Sequence, residues 1–357
     1  MLASCRIAHV APVILPVPPL SYGGTERVVA DLARAQAALG HEPVIFAGSD
    51  SSIDLPLRSG FRSLSDHRGE GTVPPGLAAE LEAAQLAELL RAGDAFDIVH
   101  LHGSAHASAL CQTWAAPVFR TIHWRADEED HRQHFRQFPE ERVVAISHAQ
   151  AEDVPQSSLA GVVHHGIPVD RLREGRGAGG YLAFIGRMTD QKRPDRAIEL
   201  ASRAGLPLQL AGPVDPGNPD YFDRVVAAAL SSSIRHVGSI DDRAKQSFLG
   251  EALALLFPID WPEPFGLVMI EAMACGTPVI AWAKGSVPEI VEDGVTGVVV
   301  QSLDEALARL PEVLALDRGR VRQCFEARFT ATRMAQDTCA LYNAVLQGSE
   351  LSASALR

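Results

Sequence analysis

Hydrophobic and polar positions along the chain fall into short apolar runs separated by stretches with helical spacing. In the first half the runs predict strands at Ile7 to Val10, Pro43 to Ala47, Ile98 to His100, Val118 to Ile122 and Val143 to Ile146. Between them lie helix patterns, notably Glu26 to Leu39, stopped by Gly40, and Leu77 to Arg91. The alternation then restarts with Tyr181 to Ile185, Leu208 to Leu210, Ile234 to Val237, Leu253 to Phe257, Val279 to Trp282 and Gly297 to Val300. Two helices close the chain, Ser302 to Ala315 and Arg318 to Leu346. Strands that alternate with helices pair in parallel through right-handed crossovers. The expected class is therefore α/β, with two doubly wound, Rossmann-like domains.

Length supports two domains, since 357 residues exceed what one hydrophobic core usually serves. The break falls at His165 to Gly180, where HGIP is followed by REGRGAGG, a flexible-linker composition. The expected domains are 1–166 and 167–330, with a helix in 331–357.

Composition narrows the function by exclusion. Hydrophobic residues make up 46% and charged residues 21%, as in ordinary globular proteins. A net charge of −12 without a basic cluster argues against a nucleic-acid partner. No apolar run approaches the length of a membrane-spanning helix. The apolar N-terminal stretch is interrupted by Arg6, His9 and four prolines, so it reads as a first strand and a Pro-rich loop, not as a signal peptide. The five cysteines, Cys5, Cys111, Cys275, Cys324 and Cys339, are odd in number and contain no C-x-x-C. They predict neither a disulfide framework nor a zinc site, but buried thiols in a reducing cytoplasm. Membrane contact is expected to be peripheral at most.

The chemistry concentrates in PEPFGLVMIEAMACGTPVIA, Pro262 to Ala281. A buried strand ends at Phe257, a loop carries Glu263, and a helix from about Phe265 to Ala274 carries Glu271. Backbone N–H groups at Phe265, Gly266 and Leu267, at the helix start, form a ready site for a phosphate. The two carboxylates stand roughly 12 Å apart at the helical rise per residue, wider than the pair of a glycosidase, ~5–9.5 Å. Such a span suits gripping separate hydroxyl groups on either side of a phosphate. The alternative is a surface glutamate followed by one on a solvated helix face.

Other stretches add candidates. Gly23 and Gly24 follow the Pro-rich loop and open a helix, where backbone can approach a ligand closely. Arg187 and Lys192 follow the first strand of the second half and supply cations before a helix near Pro194. His123 ends a strand at the edge where α/β folds bind ligands. His100 and His102 share one face of a neighbouring strand, yet two histidines alone do not establish a metal site. Gly175, Gly177 and Gly180 fit G-x-G-x-x-G but precede a strand, so no dinucleotide site is expected there.

Pro262 to Ala281 resembles the donor-binding signature of the retaining glycosyltransferases of family 4, which have the GT-B architecture. The resemblance implies that Glu263 contacts the transferred sugar and Glu271 the donor ribose. It further implies that Arg187 and Lys192 neutralise the leaving diphosphate, that Gly23 and Gly24 face it across a deep interdomain cleft, and that His123 touches the sugar near the reaction centre. Ile240 and Lys245 match positions that hold the nucleotide base. His165 takes the place of the usual Asn in the hinge segment, and Arg193 stands where Gly commonly follows the Lys. In such proteins the final helix crosses back onto the first domain. The implied activity is transfer of a hexose-type sugar from a nucleoside diphosphate sugar to an acceptor hydroxyl, retaining and without metal or cofactor. The acceptor, whether saccharide, lipid carrier or small molecule, is not legible. A nucleotide-sugar epimerase and a non-catalytic nucleotide-sugar-binding protein are the rival readings.

Overall fold

The computed structural model describes residues 4–20, 23–70, 74–92, 95–103, 105, 107 and 114–348. The chain divides into two compact units, Met1–Gly166 with Ala331–Arg357, and Ile167–Thr330.

The first unit holds a seven-stranded sheet of β1 (Arg6–Val10), β2 (Glu42–Phe46), β3 (Leu57–Arg58), β4 (Ile98–Leu101), β5 (Val118–Thr121), β6 (Arg142–Ala145) and β7 (Leu159–Val162). Its order is β3-β2-β1-β4-β5-β6-β7, and every neighbouring pair is parallel. Such strands are covered on both faces and read as near-continuous apolar runs. The strand order reverses between β1 and β4, the position at which open α/β sheets bind ligands beside the carboxyl ends of their strands. The Thr25–Ala38 helix packs on the Ala331–Leu346 helix, which returns to this unit from the far end of the chain.

The second unit repeats the plan with β8 (Leu182–Ile185), β9 (Leu208–Ala211), β10 (Ile234–His236), β11 (Ala254–Phe257), β12 (Val279–Trp282) and β13 (Gly297–Val300). The order is β10-β9-β8-β11-β12-β13, again parallel throughout. Its core joins Leu182, Leu208, Leu256 and Ile280 of the strands to Ala197, Ala201 and Val313 of the Pro194–Ala204 and Leu303–Leu314 helices. The switch point lies between β8 and β11.

Three expectations need correction. The closing helix is not continuous: Arg318–Arg328 and Ala331–Leu346 are separate. Phe329 leaves helical geometry at φ −131°, ψ 29°, and its carbonyl accepts the Ile167 amide at 3.0 Å. The boundary between the units falls at that break. The glycine-rich segment is not a flexible linker. The amides of Gly175, Gly177 and Gly179 donate to the carbonyls of Cys275, Gly250 and Glu251 at 2.9–3.0 Å. A Cβ on Gly175 would stand 2.1 Å from the Gly250 oxygen, so the glycines there serve close backbone contact. Strand β7 was not foreseen. It is short, and its Gly161 makes room for the Leu341 side chain. Cys275, Cys324 and Cys339 are buried free thiols, Cys5 is buried, and Cys111 lies outside the described residues.

Candidate active site

In the second unit the chemistry gathers where strand order reverses. Arg187 and Lys192 follow β8, and Glu263 follows β11. Lys192 donates from Nζ to Glu263 Oε2 at 2.5 Å, and Trp261 donates from Nε1 to the same oxygen at 2.9 Å. The Lys192 ammonium also lies 4.7 Å from the Trp261 ring centroid, a cation–π contact. Both donors converge on Oε2, so the other carboxylate oxygen keeps its capacity to accept a ligand hydroxyl.

Glu271 is buried on the Leu267–Ala274 helix and accepts Lys245 Nζ at 2.6 Å. Each carboxylate of the Glu-x7-Glu pair is therefore held by its own lysine. The solvated-face reading of Glu271 does not survive this burial. Ile240 precedes the Asp242–Gly250 helix that carries Lys245, capped by Asp241 accepting the Ala244 amide at 2.8 Å. Arg187 is half exposed, with Nη1 3.8 Å from Asp215.

The helix starts two residues later than its apolar pattern suggested. Leu267 is the first helical residue and Gly266 its N-cap, at φ +82°. Left-handed geometry there disfavours a Cβ, which would also stand 2.6 Å from the Met269 methyl. Phe265 is buried before the cap. The first-turn amides are those of Leu267 and Val268, while Met269 N–H returns to the Gly266 carbonyl at 3.0 Å.

Sequence reasoning missed the residues that hold this loop. Ser286 donates its amide to the Glu263 carbonyl and its hydroxyl to the Phe265 carbonyl, each at 2.9 Å. A Cβ on Gly285 would meet the Glu263 backbone at 2.4 Å. The signal was the K-G-S run just after β12. Arg193 adopts left-handed geometry at φ 54°, ψ 52°. That conformation costs a side chain roughly 1–2 kcal/mol. Ion pairs to Asp195 at 2.7 Å and Asp260 at 3.0 Å hold it in place.

The first unit builds its switch point from imidazoles. His9 of β1 stands beside His100 of β4, and His102 follows β4. His102 Nε2 lies 3.0 Å from His9 Nδ1, and His102 Nδ1 lies 3.0 Å from His123 Nε2. His9 Nε2 meets Gln36 Oε1 at 2.6 Å. His100 contacts the Tyr342 hydroxyl at 2.5 Å and Thr121 at 2.7 Å, and His123 stacks on His165 at 5.1 Å. Burial holds all of these rings below the usual imidazole range, His9 at about 4 and His123 at about 3. His9 was overlooked because it lies far from His100 and His102 in sequence.

His9, His100 and His102 together could offer ligand atoms to a metal. Both nitrogens of each ring, however, are already hydrogen-bonded. A metal would have to displace those partners, so the cluster does not fit a metal centre as built.

Gly23 packs tightly within its own loop: a Cβ would stand 2.7 Å from Leu15 and 2.9 Å from Pro19. Gly24 is the N-cap of the Thr25–Ala38 helix. Glu26 is buried in its first turn, where burial pushes its carboxyl upward and the Leu15 amide counters by hydrogen bonding.

This geometry belongs with known relatives. The family model Glycosyltransferase Family 4 matches residues 22–171, and Glycosyl transferases group 1 matches residues 175–327. The D-inositol 3-phosphate glycosyltransferase of Mycobacterium tuberculosis (strain ATCC 25618 / H37Rv) is 29% identical, over 87% of this chain and 75% of that protein. Among solved structures, sucrose-phosphate synthase from Thermosynechococcus elongatus superposes with TM-score 0.78 at 19% identity, covering 96% of this chain and all of that one. Anabaena Alr3699/HepE, in complex with UDP-glucose, superposes with TM-score 0.72 at 16% identity, again over 96% of this chain and 100% of that one. At such identities these two bear on the fold. The chain belongs to glycosyltransferase family 4, enzymes of the GT-B architecture.

Proposed function

We propose that this glycosyltransferase moves a hexose-type sugar from a nucleoside diphosphate sugar to an acceptor hydroxyl, with retention at the anomeric carbon and without a metal ion. The observation that supports this best is the pair of buried carboxylates, Glu263 and Glu271, each fixed by a lysine beside the Leu267 helix start. Glu263 grips hydroxyls of the transferred sugar through its free oxygen, and Glu271 grips the ribose. Lys245 acts through Glu271, whose charge it neutralises and orients, and Ile240 lies against the base. The UDP-glucose bound to Alr3699/HepE is consistent with a donor of this class.

Bond cleavage places charge on the departing diphosphate. Arg187, Lys192 and the first-turn amides of Leu267 and Val268 supply the compensating field. The diphosphate leaves on the face from which the acceptor arrives, and its oxygen takes the acceptor proton. Within the first unit, Gly23 and Gly24 are assigned to phosphate and His123 to a sugar hydroxyl. Two cations and a helix terminus meet the charge that a metal would otherwise balance.

The test begins with a thermal-shift panel of nucleotide-sugars, because a ligand bound to the native state raises the melting temperature. Transfer is then assayed with the stabilising donor. Glu263→Ala is expected to lower turnover on the order of 100- to 1000-fold with an unchanged circular dichroism spectrum. Undiminished turnover in that variant would remove the proposed sugar contact.

A further inference from the structure

The histidines of the first unit form a directed chain, and its direction is fixed at the buried end. Gln36 is fully buried on the Thr25–Ala38 helix. Its amide nitrogen donates to Cys339 Sγ at 3.8 Å. Its side chain also hydrogen-bonds the Tyr342 hydroxyl oxygen, which opposes the upward push of burial on that phenol. With its N–H groups so engaged, Gln36 turns its carbonyl oxygen, an acceptor alone, toward His9 Nε2.

From that point each tautomer dictates the next. His9 must carry its proton on Nε2, so its Nδ1 accepts. His102 then donates from Nε2 to His9 Nδ1, and its own Nδ1 accepts from His123 Nε2. The last nitrogen, His123 Nδ1, is shut from water and has no hydrogen-bond partner. Leaving a buried acceptor unmade costs about 1–3 kcal/mol. Such an orphan calls for an explanation, and a ligand atom that meets it is one. The same logic runs through the neighbouring ring, where Tyr342 faces His100 Nδ1 and Thr121 faces Nε2.

We propose that Gln36, His9 and His102 are positioning residues that lock His123 with its proton on Nε2, so that its bare Nδ1 accepts a hydrogen bond from a hydroxyl of the sugar once the packing that shuts this ring edge from water yields to the ligand. This rests on the assignment of His123 to the sugar made above. Burial supports it by keeping the rings uncharged at neutral pH, so the chain transmits polarity and not charge. His123 thereby reads hydroxyl donors. A sugar that presents an acceptor without a hydrogen, such as a deoxyfluoro position, meets lone pair against lone pair.

The first readout is spectroscopic and needs no substrate. The full chain is labelled with 15N-histidine, and ring nitrogens are correlated with ring carbon-bound protons at neutral pH. Signals are assigned by His9→Gln, His102→Gln and His123→Gln. The expected result is His9, His102 and His123 all neutral, with protonated Nε2 and bare Nδ1. In Gln36→Leu, His123 should shift to a mixture of tautomers, with kcat/KM for transfer down on the order of tenfold. If that variant does not fold, His102→Phe breaks the chain one link from His123 and gives the same readout. A wild-type His123 protonated on Nδ1, or one whose tautomer is unmoved in a folded variant, overturns the proposal. Separately, His123→Ala tests the sugar contact. If that variant retains full transfer while the tautomers are as expected, the sugar assignment fails and the relay stands.

Discussion

The two units carry their chemistry at the same topological position and build it from opposite materials. In the second, where β8 and β11 part, carboxylates are matched with lysines: Glu263 with Lys192 and Glu271 with Lys245. In the first, where β1 and β4 part, buried imidazoles face one another without charge. A site that meets a diphosphate needs fixed charge, and a paired carboxylate keeps its charge inside a fold better than a lone one. A site that reads neutral hydroxyls needs direction, which uncharged donors and acceptors supply without burying an ion. The same topological position, the switch point of a parallel sheet, carries both kinds of side chain.

The contrast can be broken by substitution. Lys192→Met should have the largest effect, lowering transfer on the order of 100- to 1000-fold, because it removes both a cation and the partner of Glu263. Steady-state kinetics check this, and a near-normal rate would mean the second unit does not depend on paired charge. The first unit buries the ion pair of Arg120 with Glu141, at 2.5 and 2.7 Å. Glu141→Leu strands the guanidinium and should cost about 3–5 kcal/mol in urea unfolding. Stability unchanged by that variant would show the pair to be replaceable.

Acid separates the units further. His9 has a folded-state pKa of about 4, lowered by burial from its ordinary 6.5. Its neutral form is therefore favoured by folding, with full stability above about pH 6.5 and progressive loss as pH falls toward 4. The loss from His9 alone is about 3 kcal/mol by pH 4. Hydrogen exchange between pH 7 and pH 4.5 should show protection in β1 and β4 falling before that in β8 and β11. Simultaneous loss would contradict the contrast. The smallest effect concerns Arg193. Arg193→Gly relieves left-handed strain whereas Arg193→Ala does not, and both lose the same ion pairs. The glycine variant should be the more stable by ~1 kcal/mol in thermal melts.

The same contrast explains what sequence could disclose. Glu263, the helix start and Glu271 sit in one string of twenty letters, so spacing alone brings them together. The relay draws on positions 9, 36, 102 and 123, carried by two strands' ends, a helix and a loop, and no local period links them. His100 and His102 were legible as a pair on one face. Their third neighbour was not, because parallel pairing of β1 with β4 brings distant segments into register. Composition misled at Gly175 to Gly180, since glycine serves close backbone packing as readily as freedom. Arg193 shows the converse: the left-handed geometry is retained without the residue that adopts it most easily.

The Ala331–Leu346 helix carries Tyr342 and Cys339, the groups that orient Gln36. The second unit is one continuous stretch of chain, whereas the first is split around it. During synthesis the second unit can finish while the ribosome is still translating. The earlier-made half must wait, with its histidines unaligned, until the Ala331–Leu346 helix emerges. The order of synthesis thus sets the order in which the two units can fold.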